Sequence, residues 1–134
     1  MSMKGMLLVG HGSKLPHNKA LIETTAEHIR EKSDEFLVKS GFMSINEPSV
    51  EEKLEEFRKE DIDVLVVVPL FLAKGIHINR DIPAILGLGE GERRGTFQLN
   101  GKTVPLVYAN PIGSDPLLAE LMLKNARKAF DELL

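Results

Sequence analysis

The segment that most constrains the fold is DVLVVVPLFL, which runs from Asp63 to Leu72. After Asp63 the run is apolar and rich in β-branched residues, which is typical of a central parallel strand that is buried on both faces. Pro69 lacks an N–H group, so the hydrogen-bonding ladder is predicted to end there. The segment therefore indicates an α/β protein in which helices cover both sides of a parallel sheet.

The rest of the chain alternates between strand and helix patterns. Three further strands are predicted, and they cover Gly5–Gly10, Phe42–Ile45 and Val104–Tyr108. Together with the Asp63–Leu72 strand they predict one domain, 1–134, with a four-stranded parallel sheet flanked by helices on both faces. This is a flavodoxin-like architecture.

Helices are predicted between these strands from apolar residues at helical spacing and from capping residues. They cover about Pro16–Ser40, a segment that opens at Ser49, and Asp81–Leu86, and a last helix follows Asp115. The apolar stripe of the last helix comprises Leu118, Leu121, Met122, Ala126, Phe130 and Leu133. Residues 87–103 are rich in glycine and charge, so they are predicted to form a long loop or flap.

Composition excludes several classes of function. The net charge of -3 argues against general nucleic-acid binding, and no apolar run approaches a membrane span. With no signal-peptide pattern, we expect a cytoplasmic protein. The chain contains no cysteine and four histidines, so any transition-metal chemistry must rely on imidazole and carboxylate groups.

Candidate functional residues lie where the predicted strands end. In parallel sheets ligands bind beyond the carboxyl ends of the strands, and there the sequence places His11, Glu47 and His77. Neutral imidazole accepts a metal ion or a proton near pH 7. From the residues alone, His11 is equally well explained as a turn residue. His17 and His28 are expected to be surface residues.

Three motifs carry a resemblance to a known family: LLVGHGSK (7–14), GFMSINEPS (41–49) and VVVPLFLAKGIHINRDIP (66–83). Together they resemble the small class II chelatases of the sirohydrochlorin cobaltochelatase family, whose short archaeal members insert cobalt or nickel into sirohydrochlorin. The third motif is the most specific. A histidine phosphatase has Arg before the His of its His-Gly motif, whereas this chain has Gly10 there.

The resemblance implies a chelatase-like fold and a role for each matching residue. His11 and His77 would bind the metal, and His11 would also be the catalytic proton acceptor. The substrate-binding residues would be Glu47, Leu72, Ala73, Lys74, Gly75, Ile76 and His77. No cofactor would be permanently bound, since Co²⁺ or Ni²⁺ is a substrate. Long class II chelatases contain two such halves, which implies a homodimer here.

Other assignments stay open. The eight carboxylates of sirohydrochlorin suit four cations that are predicted to lie in or beside loops: Lys74, Arg80, Arg93 and Arg94. A solvated flap explains Arg93 and Arg94 equally well, and Glu47 suits a plain loop carboxylate. Asp81 is expected to cap its short helix.

Three other functions use the same residues or fold. They are a non-catalytic metal or tetrapyrrole carrier, a siroheme ferrochelatase and a flavodoxin-like nucleotide binder. The nucleotide binder is disfavoured because no G-x-G-x-x-G motif follows the first strand.

Overall fold

A computed structural model describes residues 3–134. Its sheet has five strands in the order β2-β1-β3-β5-β4, of which all but β4 are parallel. The elements are β1 (Lys4–Gly10), α1 (Pro16–Lys32), β2 (Phe36–Phe42), α2 (Val50–Phe57), β3 (Val64–Pro69), a π-helical turn (His77–Asp81), α3 (Ile82–Ile85), β4 (Arg94–Gln98), β5 (Thr103–Tyr108) and α4 (Pro116–Leu133). The α/β class and the single sheet agree with the sequence-based prediction.

One face of the sheet is covered along its three central strands. Alternate residues of β1, β3 and β5, among them Leu7, Leu65 and Leu106, pack there against α2 and α3 in the larger hydrophobic core. Phe57 of α2 and Ile82 of α3 are fully buried in the same core. This core fixes β1 and β3 side by side, and the carboxyl ends of these two strands carry the candidate site.

The opposite face is covered only in part. Helix α1 packs its buried Ile22 and Ala26 over β1 and β2, in a smaller core with Leu8 and Phe42. Over β3 and β5 the same face is open. The residues left there are half-buried or exposed, namely Val64, Val66, Pro105 and Val107, whereas Val68 still packs against the smaller core.

The last helix does not close this gap. Helix α4 contains no buried residue, although the sequence predicts an apolar stripe along it. The prediction of helices covering both faces is therefore wrong for the β3–β5 half of one face. The apolar run of β3 is correspondingly buried on one side and half-exposed on the other.

The prediction of four strands and of a flap over 87–103 is also corrected. Strand β4 lies within those residues and pairs antiparallel with β5. The two are joined by a tight turn at Asn100-Gly101, where Gly101 has φ 105 and the Leu99 N–H donates to the Lys102 carbonyl at 2.8 Å. Asn-Gly between alternating residues is a strong hairpin signal, and the glycine-rich composition concealed it.

The predicted first helix is too long. Helix α1 ends at Lys32, and β2 begins at Phe36, six residues before the predicted strand start. Ser33 adopts extended backbone angles, and its hydroxyl accepts a hydrogen bond from the Glu35 N–H at 3.1 Å. A local turn of this kind competes with the helix and stops it.

Two predicted helix starts are confirmed. The Ser49 hydroxyl accepts from the Glu52 N–H at 3.0 Å, and the Asp115 carboxylate accepts from the Leu117 N–H at 2.9 Å. Within residues 3–134, no helix combines the length and apolar character that a membrane crossing requires.

Candidate active site

The two histidines selected from the strand ends come together in the structure. His11 follows β1, and His77 opens the π-helical turn beyond β3. Their Nε2 atoms lie 3.2 Å apart, and the rings meet edge to face with centroids separated by 4.7 Å. The sheet order places β1 beside β3, which is why residues distant in sequence meet here.

The outer nitrogen of each ring is held by an oxygen. His11 Nδ1 lies 3.0 Å from the Gly12 carbonyl, and His77 Nδ1 lies 2.9 Å from Asp81 Oδ2. A carbonyl and a carboxylate only accept hydrogen bonds, so each Nδ1 carries the proton and donates it. Both Nε2 lone pairs therefore point toward the same small volume.

Two facing lone pairs favour a shared cation. For metal–nitrogen distances of about 2.1 Å, this separation of the two Nε2 atoms corresponds to a nitrogen–metal–nitrogen angle of about 100°. That value lies between octahedral and tetrahedral geometry. The pair can hold one divalent ion with little movement of either ring.

Asp81 supports His77 and does not have the role predicted for it. Its side chain makes no capping hydrogen bond, which corrects the expected helix cap. It accepts from His77 and, at 3.3 Å, from Arg80 Nε. The hydrogen bond from His77, aided by Arg80, lowers the pKa of the Asp81 carboxyl, so this group stays ionised and orients the imidazole. The only sequence signal was the i, i+4 spacing of His and Asp on one turn.

The turn that carries His11 is fixed by two asparagines. The Gly12 N–H donates to Asn18 at 3.0 Å, and the Ser13 N–H donates to Asn46 at 2.8 Å. Gly12 has φ 96, and a Cβ there would collide with the Ser44 carbonyl oxygen. Sequence reasoning missed this role of both asparagines, because a side chain that binds a backbone N–H group leaves no pattern in the sequence.

The predicted substrate-binding residues other than His77 are all exposed. The segment Leu72–Ile76 is exposed throughout and leads directly into His77. Leu72 and Ile76 are 65% and 54% exposed, which is unusual for large apolar side chains. Glu47 is also exposed, in the loop that follows β2.

Phe71 lies behind the two histidines, with its ring 6.1 Å from that of His11 and 6.4 Å from that of His77. Phe71 also packs against the larger core, which accounts for its half-buried position.

The four candidate cations occupy different places. Lys74 and Arg93 line one small pocket beside the site, together with Asn79 and Asn110. Arg93 Nε also donates to the Tyr108 carbonyl at 3.1 Å, so that side chain is anchored. Arg80 is bound to Asp81, whereas Arg94 is exposed on β4, opposite Val107.

The site is open rather than closed. Among residues 3–134, no three His, Asp or Glu side chains converge closely enough to hold a metal ion. Two imidazoles bind an ion while at least half of its coordination positions remain with water or a second molecule. Imidazole ligands suit cobalt, nickel, zinc and iron better than magnesium or calcium. Such a site is suited to receiving and releasing a transition metal.

An α/β sheet with two imidazoles at its carboxyl edge is suited to a protein that binds transition metals. Comparisons with known proteins show to which family this chain belongs. The CbiX family model matches residues 5–129, and the chain belongs to that family. Sirohydrochlorin cobaltochelatase of Methanosarcina barkeri is 46% identical over 126 residues, which cover 94% of this chain and 96% of that protein. The Methanosarcina acetivorans enzyme of the same name is 43% identical over the same shares of both chains.

Solved structures show the same fold. SirB, the sirohydrochlorin chelatase of Bacillus subtilis, crystallised with cobalt, superposes with a TM-score of 0.76 at 21% identity. The match covers 96% of this chain and 51% of SirB. A CbiX protein from Marinobacter aquaeolei matches with a TM-score of 0.66 at 23% identity, over 97% of this chain and 98% of that one.

Proposed function

We propose that this protein is a sirohydrochlorin cobaltochelatase, an enzyme that inserts Co²⁺ into sirohydrochlorin during tetrapyrrole cofactor biosynthesis. The observation that carries the proposal is the pair of Nε2 atoms 3.2 Å apart, each with its outer nitrogen already engaged. The names of the relatives that match along nearly the whole chain support the choice of substrate and metal.

The reaction exchanges one divalent ion for two protons. Sirohydrochlorin with two pyrrole N–H groups and Co²⁺ becomes cobalt-sirohydrochlorin and two H⁺. In the first step, His11 and His77 replace water on the ion and hold it at the carboxyl edge of the sheet. The exposed apolar side chains of Leu72 and Ile76 cover one face of the ring and place its nitrogens over the ion.

Proton transfer must follow release of the ion from His11. The Nδ1 of His11 donates to the Gly12 carbonyl, so Nε2 is the only free lone pair of that ring. One atom cannot hold the metal and a proton at the same time. We therefore assign sequential roles to His11 Nε2: it binds the ion, loses it to the ring, and then accepts a pyrrole proton. Glu47, exposed in the adjacent loop, is our candidate for the second proton.

Cations beside the site suit the carboxylates of the substrate. Lys74 and Arg93 line the same pocket, to which Glu92 also contributes, and Arg93 is held in place by the Tyr108 carbonyl. Charged donors of this kind bind carboxylates with strong hydrogen bonds. We propose that they orient the ring, whereas Arg80 acts through Asp81.

The assembly is proposed to be a homodimer. This chain covers 51% of SirB, so two copies match one SirB chain in length. A second copy would also enclose a site that is open in the single chain.

The test is metal insertion followed by absorbance. Purified protein is mixed with sirohydrochlorin and Co²⁺, Ni²⁺ or Fe²⁺, and the initial rates are compared with those of the spontaneous reactions. We expect the largest acceleration with Co²⁺. Nickel insertion or siroheme formation is the alternative if another ion reacts faster. Metal binding without acceleration for any ion would identify a carrier and overturn the proposal.

A further inference from the structure

Tyr108, at the carboxyl end of β5, is a buried residue to which the proposed reaction gives no role. It is 4% exposed and belongs to the larger core. Its hydroxyl donates to the Ile78 carbonyl at 3.0 Å. Ile78 is the second residue of the π-helical turn and directly follows His77. The hydroxyl therefore binds the backbone of the turn that carries one of the two imidazoles.

The hydrogen-bonding pattern of the turn explains why a donor is required there. The Ile82 N–H donates to the His77 carbonyl, five residues back, as in a π-helix. At the same spacing the partner of the Ile78 carbonyl would be Pro83, which has no N–H. A buried carbonyl requires a hydrogen-bond donor. Tyr108 provides that donor from a different element of the fold.

The main chain of Tyr108 binds the opposite side of the site. Its N–H donates to the Arg93 carbonyl at 2.9 Å, and its carbonyl accepts from Arg93 Nε at 3.1 Å. Arg93 is a candidate cation for the carboxylates of the substrate. A further hydrogen bond, from the Gly91 N–H to the Asn79 carbonyl at 3.3 Å, joins the same two segments. Tyr108 thus connects the His77 turn, through its side chain, with the Arg93 segment, through its main chain.

We propose that Tyr108 is a positioning residue for metal binding, because its hydroxyl holds the His77 turn where the two Nε2 atoms face one cation. The proposal rests on the metal site of the proposed function, but not on metal insertion. The imidazole of His77 moves with its turn, since Asp81 of the same turn holds the ring. Metal–ligand distances tolerate deviations of only about 0.2 Å. A small shift of the turn relative to β1 therefore weakens binding by the pair.

The first experiment is a calorimetric titration of the full chain with Co²⁺, at a temperature where circular dichroism shows every variant folded. Tyr108→Phe keeps the buried ring and both main-chain hydrogen bonds to Arg93. We expect Co²⁺ affinity to fall about 3- to 10-fold, less than the loss for a group that binds a metal ligand directly. Ile62→Val is the matched control. It removes one carbon atom from the same core, so it lowers stability but should leave Co²⁺ affinity unchanged.

The second experiment restores a donor within the turn. Pro83→Ala places an N–H five residues after Ile78, at the spacing that His77 and Ile82 already use. We expect Tyr108→Phe to lower Co²⁺ affinity less in the Pro83→Ala chain than in the unaltered chain, because the new N–H replaces the hydroxyl. Comparing the two losses cancels any effect that Pro83→Ala has by itself.

Steady-state kinetics separate the position of the metal from the binding of the ring. Arg93 stays bound to the main chain of residue 108 in Tyr108→Phe, so KM for sirohydrochlorin should stay within about twofold. The Co²⁺ concentration for half-maximal rate should rise in proportion to the loss of Co²⁺ affinity. A general loss of stability would not affect one of the two substrates selectively.

Equal Co²⁺ affinity of Tyr108→Phe and Ile62→Val would show that the hydroxyl only stabilises the fold, and the proposal would be overturned. An equal loss from Tyr108→Phe with and without Pro83→Ala would also overturn it, because the effect would then not act through the Ile78 carbonyl. An unaltered chain that binds Co²⁺ without accelerating insertion overturns the proposed reaction and leaves the role of Tyr108 in place. An unaltered chain that binds no Co²⁺ overturns both.

Discussion

The Nε2 atoms of His11 and His77 lie 3.2 Å apart, although 66 residues separate the two in sequence. Each ring donates its other N–H to an oxygen, to the Gly12 carbonyl in one case and to the Asp81 carboxylate in the other. The free lone pairs repel each other unless a proton or a metal ion lies between them. The site is thus prepared for a cation, and protons compete with metal for the same two atoms.

Removing either imidazole should abolish tight metal binding. His11→Ala and His77→Ala each leave one nitrogen ligand, and we expect Co²⁺ affinity to fall more than about 100-fold, since the loss of a residue that merely supports a ligand costs 10- to 100-fold. Calorimetric titration with Co²⁺ measures this. His28→Ala is the matched control, because His28 is exposed on α1 and should bind no metal. Unchanged affinity in His77→Ala would exclude the shared site.

Asp81 should affect metal affinity by orienting the imidazole of His77. Asp81→Asn keeps the size of the side chain but removes the charge that stabilises the Nδ1–H tautomer. We expect Co²⁺ affinity to fall about 10- to 100-fold while the melting temperature changes little. Asp115→Asn is a useful comparison, since that carboxylate caps α4 and lies outside the imidazole pair. An equal loss of affinity in both variants would contradict a specific role for Asp81.

The sequence identified the two imidazoles because strand ends of a parallel sheet share one edge, and β1 and β3 are indeed neighbours. It missed the support of His11 by Asn18 and Asn46, because both side chains bind backbone N–H groups, which leave no pattern in the sequence. It also predicted helices over both faces of the sheet, whereas α4 buries none of its residues, because an apolar stripe does not identify the surface on which a helix packs. The β4 hairpin was hidden by composition, although Asn100-Gly101 marked it.

Replacing Gly12 should lower the stability of the protein, whereas replacing Gly75 should not. Gly12→Ala forces a side chain into positive φ and against the Ser44 carbonyl, so we expect a loss of at least about 1–3 kcal/mol in unfolding free energy from backbone strain alone. At Gly75, two residues before His77, a Cβ atom would meet no neighbouring atom within 4 Å. Gly75→Ala should therefore stay within about 0.5 kcal/mol. Urea denaturation compares the two, and equal stability would contradict the tight turn at Gly12.

Tyr108 should make stability fall at alkaline pH. Its hydroxyl is buried and donates to the Ile78 carbonyl at 3.0 Å, and burial raises the pKa of this phenol to about 12. In the unfolded chain the pKa is near 10, so above that pH the unfolded state loses a proton that the folded state keeps. The contribution of Tyr108 is complete below about pH 10 and decreases as pH rises toward about 12.

Tyr108→Phe removes the hydrogen bond, which costs about 1 kcal/mol at neutral pH, but it also removes this part of the alkaline decline in stability. Because the chain has one tyrosine, ultraviolet titration reports this group alone, and urea midpoints between pH 8 and 11 compare the two proteins. A variant that loses stability with pH as steeply as the unaltered chain would show that Tyr108 is not the group responsible.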